Sequence, residues 1–371
     1  MSAERAIVIG AGIGGLTAAI WLAAEGYAVT VLERAPCAGG KMREVEVDGA
    51  RIDAGPTVLT MRWVLDEIFE KAGARLDDYV ALHKLSILAR HAWSDGARFD
   101  LFADKAASAD AIGDFAGAAE SRGYLNFCAE ARRMFETLRG PFLTASKPNP
   151  ISLTNRVGLG RIGDLLAIRP FDTMWGALGA HFRDPRLRQL FGRYATYCGS
   201  SPFSAPATLM LIAHVEQDGV WIVDGGMQRL AEALTACAEK LGVSFHFGAE
   251  VSEIAVSRSR VGGVRLHNGE RMEASTVVCN ADPSALAAGL FGKDAARAVA
   301  SVGHATRSLS AVTWAAHVKA IGFPLVRHNV FFSDDYAAEF ETLGKQGLPT
   351  DPTIYVCAQD RTDERNPDGA E

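Results

Sequence analysis

No two cysteines stand close together in this chain of 371 residues: Cys37, Cys128, Cys198, Cys237, Cys279 and Cys357 are scattered along it. That spacing offers neither a disulfide frame nor a metal site, and it reads as free thiols in a reducing compartment. Charge of one sign is not in large excess either. The net charge of -6 gives bulk electrostatics no hold on nucleic acid, so no such partner is expected. Apolar residues are not scarce: 48% hydrophobic against 22% charged excludes a disordered chain. No internal repeat is apparent. A basic leader is nearly absent, and cleavage would destroy a pattern that begins at residue 5, so no signal peptide is expected. The expectation is a cytoplasmic protein with no spanning helix, long enough for two or three lobes.

Charge is missing altogether from Ala6 to Ala24, a run long enough to imitate a membrane span. A patterned cluster of glycines inside it argues for a buried strand, a tight turn and a buried helix. Arg5–Ile9 reads as the strand, Gly10-Ala-Gly12-Ile-Gly14-Gly15 as the turn and Leu16–Glu25 as the helix. Tyr27–Leu32 is a second strand, closed by Glu33. Strand, glycine turn, helix, strand and acid in this order form a dinucleotide site. Gly10 permits the turn, Gly12 lets backbone approach a pyrophosphate, and Gly15 lets helix and strand pack closely. The helix amino terminus offers open N–H groups and a positive dipole end to the phosphates. Glu33 can accept both ribose hydroxyls of an adenosine, and it would repel the extra phosphate of NADP.

The next segment separates FAD from NAD. After Glu33 come Arg34, the pair Gly39-Gly40 with Lys41, and then Gly49-Ala-Arg51-Ile-Asp53-Ala-Gly55-Pro56-Thr57. An NAD domain would continue into another strand–helix repeat. A second glycine pair with a cation can instead serve a second stretch of pyrophosphate or the flavin.

Farther on, Val64–Ala72 reads as a helix, and Tyr79–Trp93 and Ala97–Ala103 as extended segments around a turn at Ser94-Asp95-Gly96. Ala106–Thr137 has helical spacing, and Gly140–Asn155 reads as a loop. Arg156–Ala180 sets Arg156, Arg161 and Arg169 among apolar residues that include Met174 and Trp175. Such a segment either lies on an anionic membrane surface or forms an ordinary packed helix pair. Met227–Leu241 has an apolar face at helical spacing, with Met227 in the core. Val243–Phe247, Glu250–Val256, Val261–Leu266 and Met272–Cys279 alternate as strands, with turns at Gly262-Gly263 and Asn268-Gly269. Asn280-Ala-Asp282-Pro283 closes that unit. Thr353–Ala358 is apolar on both faces, which predicts an inner strand with a neighbour on each side.

Two stretches carry a family resemblance. IVIGAGIGGLTAAIWLAAEGYAVTVLERAPCAGGKM followed by GARIDAGPTVLTM resembles bacterial carotenoid desaturases of the phytoene desaturase type, relatives of the amine oxidases and of Rab GDP-dissociation inhibitors. Tyr197-Cys-Gly199-Ser-Ser-Pro202, the apolar run Leu209–Val215, Gly219-Val-Trp221 and Gly225-Gly226-Met227 are similar to the same family. Val223-Asp224 stands where many phytoene desaturases carry an aromatic-Pro pair, and this points to the hydroxycarotenoid 3,4-desaturases.

The resemblance implies an α/β fold: an FAD-binding Rossmann-like domain of glutathione reductase/amine oxidase type, with an inserted α+β substrate domain and a helical subdomain. The FAD domain would comprise 1–75 and 206–283, the substrate domain 76–103 and 284–371, and the helical, membrane-facing subdomain 104–205. FAD would be held by Gly10, Gly12, Gly14, Gly15, Glu33, Arg34, Gly40, Lys41, Gly55, Pro56 and Thr57, with Val251 at the adenine end through its backbone. Family members continue for another hundred or so residues, so the expected chain is a fragment and its last domain incomplete. The substrate implied is a long apolar carotenoid drawn from the inner membrane, on which the protein would sit peripherally. Hydride would pass from an allylic carbon to the flavin and a proton would leave the neighbouring carbon, so a strong base is not required. Glu216, between the apolar run and the Gly-Val-Trp strand, is the candidate catalytic residue, set against a plain solvated loop carboxylate. His214 reads as structural. Two rivals stay open: an amine oxidase, which needs an aromatic cage that 8% aromatic residues do not visibly supply, and a non-catalytic lipid-binding escort.

Overall fold

The computed structural model describes residues 3–146, 168–299 and 307–362. It resolves into two compact units. The first comprises Met1–His83 and Trp221–Thr306 with Thr313–Val318, and the second Lys84–Val220 with Arg307–Val312 and Lys319–Glu371.

A four-stranded parallel sheet forms the centre of the first unit, in the order Thr276–Cys279, Arg5–Ile9, Ala28–Glu33, Ser244–Phe247. Its two central strands, Arg5–Ile9 and Ala28–Glu33, are largely buried because both faces are covered. Along Arg5–Ile9 the side chains alternate: Ala6 and Val8 enter a core with the helices Ile13–Ala24 and Met227–Lys240. Ile7 and Ile9 enter another core, with Val251, Ile254, Val264 and Leu266 of a three-stranded antiparallel sheet. Met227 is in the core, as expected.

Three sequence readings of this unit need correction. The first helix begins at Ile13, not Leu16, so Gly14 and Gly15 lie in its first turn. The hairpin turn falls at Arg258 and Ser259, both with positive φ, and not at Gly262-Gly263. Those glycines lie inside the strand Arg260–Leu266, where a Cβ on Gly263 would sit 2.0 Å from the Met272 carbonyl oxygen. Close strand approach, rather than a turn, is what requires glycine there. The unit also runs past 283: Ile254 donates to the Phe291 carbonyl at 2.9 Å, and Ala295 is buried in the second core.

A mixed sheet organises the second unit, in the order Ile354–Cys357, His328–Phe331, Ile87–Ala92, Arg98–Phe102. The predicted helix Ala106–Thr137 is two helices, Lys105–Ala116 and Ala118–Leu138, separated by Gly117 at φ 98°. Asp104 caps the first by accepting from the Ala107 N–H at 2.7 Å. Fully buried Tyr124, Phe127, Phe182, Phe191 and Tyr194 pack around the second helix and the helix Pro185–Gly192.

The strand expected at Thr353–Ala358 is present as Ile354–Cys357. Among the described residues it pairs with His328–Phe331 alone, and Ile354 and Tyr355 stand 51% and 46% exposed. Arg156 and Arg161 lie outside the described residues. In the described part of that segment Trp175 packs on Phe203 and beneath the Arg188 guanidinium, while Arg169 pairs with Glu130 at 2.7 Å. No helix among the described residues is long and apolar enough to cross a membrane.

Candidate functional site

The glycine turn lies at the carboxyl edge of the parallel sheet, where α/β sheets take ligands. Gly10 adopts φ 96°, and its N–H donates to the Leu32 carbonyl at 2.8 Å. A Cβ on Gly15 would fall 1.9 Å from the Gly10 carbonyl oxygen, so helix and turn can meet only at glycine. Gly12 is the N-cap of the helix and brings no side chain to its first-turn N–H groups. Those donors stay open to an anion.

Glu33 is buried, and its carboxylate ties the second strand to the turn. One oxygen accepts from the Ala11 N–H at 2.7 Å and the other from the Ala35 N–H at 2.8 Å. The Ala249 N–H donates to the Glu33 carbonyl at 2.9 Å, so the segment entering Val251 runs beside the acid. Val251 itself is buried, pairs with Leu266 and precedes a bulge.

The second glycine pair joins the same locus. Gly39 donates to the Ala11 carbonyl at 2.9 Å and bridges to Gly12, and a Cβ on Gly40 would lie 3.1 Å from the Gly12 Cα. Gly55 belongs for a different reason: its Cβ would sit 1.7 Å from the Lys41 carbonyl oxygen, so the chain can cross Lys41 only as glycine. Pro56 and Thr57 follow it, and Arg34 follows Glu33. Arg34 and Lys41 are exposed cations.

Two residues were missed in the sequence. Asp53 is buried, and both its oxygens accept from the Met227 N–H at 2.9 Å, capping the helix Met227–Lys240 from the far side of the chain. The signal was a helix that opens on Gly-Gly-Met with no capping side chain of its own. Asn280 packs against the glycine turn: a Cβ on Gly14 would lie 2.6 Å from its Oδ1, and one on Gly12 3.4 Å from its Nδ2. Nothing local in the sequence marks that role.

Open helix N–H groups, two glycine segments in contact and a fixed acid fit a dinucleotide cofactor. Over residues 13–370 the sequence matches the family described as flavin containing amine oxidoreductase. The chain belongs to this family. Its cofactor is FAD, and its class is the flavin-dependent oxidoreductases, as the glycine pattern implied. Among its relatives is a "Hydroxyneurosporene desaturase" of Rubrivivax gelatinosus, 52% identical over 363 residues, which cover 97% of this chain and 69% of that protein. Another of the same description, from Cereibacter sphaeroides, is 43% identical over 368 residues, 99% of this chain and 74% of that one. A "4,4'-diaponeurosporene oxygenase" of Staphylococcus aureus is 32% identical over 379 residues, 97% of this chain and 72% of that one. The resemblance to carotenoid desaturases is thus borne out. Among solved structures, a putrescine oxidase variant superposes with a TM-score of 0.53 at 17% identity, covering 78% of this chain and 60% of that one. An oxidoreductase from Methanosarcina mazei gives 0.51 at 17%, over 76% and 60%. These confirm the fold.

In the second unit of this flavoprotein, Glu216 is not a loop carboxylate. It lies in the helix Leu211–Asp218, 3% exposed, and accepts from the Tyr194 and Tyr197 hydroxyls at 2.6 Å each. The Arg193 guanidinium stands 3.8 Å away. Burial, and then the nearby Glu216 charge, push the Tyr194 phenol well above its ordinary range, which keeps it a donor. His214 is half-buried, with its ring edge-on to Phe135. Burial holds its imidazole below the usual range. The described cysteines are free, and the described residues contain no cluster able to hold a metal.

Proposed function

We propose that the protein desaturates a carotenoid, forming a new C=C at C3–C4 of a 1-hydroxycarotenoid. The observation that carries this reading is 52% identity to a hydroxyneurosporene desaturase along 97% of the chain. When bound, FAD accepts the hydride from the substrate carbon. What falls to the protein is to grip the cofactor and to hold an almost wholly apolar chain away from water. In this reading the N–H groups after Gly12 and the backbone at Gly39-Gly40 hold the pyrophosphate, with Arg34 and Lys41 adding charge. Glu33, fixed by its two amide bonds, presents its remaining lone pairs to the ribose, and the Val251 backbone meets the adenine end.

Glu216 keeps its place as the candidate acidic residue, but with both oxygens held by tyrosines its proposed part is to position Tyr194 and Tyr197. The substrate dissolves in lipid, so we propose peripheral binding to the inner membrane. Flotation with anionic liposomes, weakened by salt, tests this. Equal recovery with and without lipid would count against it.

The test of function is expression in cells that accumulate a 1-hydroxylated neurosporene-type carotenoid. A pigment about two mass units lighter, with red-shifted absorption, supports desaturation at a hydroxylated end. A gain of oxygen would favour the oxygenase chemistry for which the Staphylococcus relative is described. Unchanged pigment would sink both.

A further inference from the structure

We propose that Asn280 is a pyrophosphate-positioning residue: its side-chain amide lies over the glycine turn and donates to the cofactor's phosphates. The inference rests on the reading of the glycine turn as the FAD site and adds a side-chain ligand to it. The strand Thr276–Cys279 pairs in parallel with Arg5–Ile9, and the pairing ends at Ile9 and Cys279. Asn280 is therefore the first residue beyond the sheet's carboxyl edge, directly beside Gly10. Its N–H donates to the Ile9 carbonyl at 2.9 Å, which fixes its backbone.

Its side chain extends over the glycine turn. Cβ atoms built on Gly10, Gly12, Gly14 and Gly15 would each meet it, at 3.7, 3.4, 2.6 and 3.3 Å. The nearest of these, at Gly14, meets the Asn280 Oδ1, so the amide stands directly over the first turn of the helix. The residue is nevertheless exposed, and its amide has no hydrogen-bond partner among the described residues. A polar group carried on an anchored backbone, open to solvent and left without a partner has its donors free for a ligand. The Nδ2 atom lies on the side of Gly12, the glycine whose missing side chain leaves room for the pyrophosphate, so that is where its donors are useful. A neutral donor also suits this position, because it adds a hydrogen bond without adding charge.

Isosteric replacement separates this role from mere packing. Asn280→Asp keeps the shape and places a negative charge against the pyrophosphate, whereas Asn280→Ala only deletes the donor. Titration of each apoprotein with FAD, followed by flavin fluorescence, should show binding about tenfold weaker for Asn280→Ala. The loss for Asn280→Asp should exceed it severalfold and shrink at high salt, because the added contribution is electrostatic. Asn280→Ser, which keeps a donor, should recover part of the affinity. Thermal melting of the apoproteins should differ little among the variants. The proposal is overturned if Asn280→Asp binds FAD as the parent does, or if both variants lose affinity equally with matching losses of apoprotein stability. Gly12→Val, run alongside, tests the underlying reading: if it retains full FAD binding, the glycine turn itself is misassigned, independently of Asn280.

Discussion

At the scale of single residues, the acid that closes the second strand has a double duty. Glu33 receives the Ala11 and Ala35 amides and so holds the turn in shape before any ligand arrives. Replacing it by alanine should therefore weaken FAD binding and also destabilise the empty protein, by about 1–3 kcal/mol for the buried amides left unpaired. FAD titration together with urea unfolding of the apoprotein measures both, and an apoprotein of unchanged stability would contradict the first duty. Gly12→Val differs in kind. A Cβ there has room toward the protein, with only Asn280 Nδ2 at 3.4 Å. The apoprotein should fold, while the side chain fills the space the pyrophosphate needs. Purification of Gly12→Val with stoichiometric flavin would refute the site.

At the scale of elements, local pattern placed most strands and helices, and the exceptions have long-range causes. The helix Met227–Lys240 has no cap of its own because Asp53 supplies one. Asp53→Ala should cost about 1–2 kcal/mol, at the upper end for a cap because the bond is buried. Denaturant unfolding checks this, and Asp53→Asn should recover part of the loss. Gly262-Gly263 looked like a turn because paired glycines usually mark one, yet the need for glycine comes from the Met272 carbonyl on the neighbouring strand. Glu216 looked solvated because its two tyrosine partners arrive from a different turn of chain.

At the scale of the whole molecule, the sensitivity to acid should be set in part by buried histidines. His328 is 2% exposed, and burial, aided by the Arg327 and Arg193 charges, lowers its imidazole to about 3. His91, fully buried and stacked on Phe332, is held well below its ordinary value, by burial first and then by the Arg193 charge. In the unfolded chain both titrate near about 6.5, so below that pH the unfolded state binds protons that the folded state refuses. Stability should therefore fall as pH drops from about 6.5 toward about 3, each histidine contributing up to about 1.4 kcal/mol per pH unit. Urea midpoints at about pH 7.5 and about pH 5 should differ, and His328→Gln should flatten the difference. Equal midpoints for the parent protein would overturn the assignment.

The sequence by itself determined the chemistry of the amino-terminal locus. Strand, glycine turn, helix and acid follow one another within a short stretch, so each constraint is local and leaves a readable residue type. It also determined the family, because the patterns at Gly10–Thr57 and Tyr197–Met227 are contiguous. Only the tertiary structure decided what meets across distance. Asn280 reaches the turn because a parallel sheet brings the end of one strand beside the end of another, far away in the chain. Asp53 caps a helix from far away in the chain, and Gly55 passes over Lys41 because an antiparallel hairpin folds the two ends of its own segment together. A short sequence window records the propensity of its own backbone. The partner that a buried polar atom or a missing side chain answers to is fixed by packing between segments, and packing leaves no local mark.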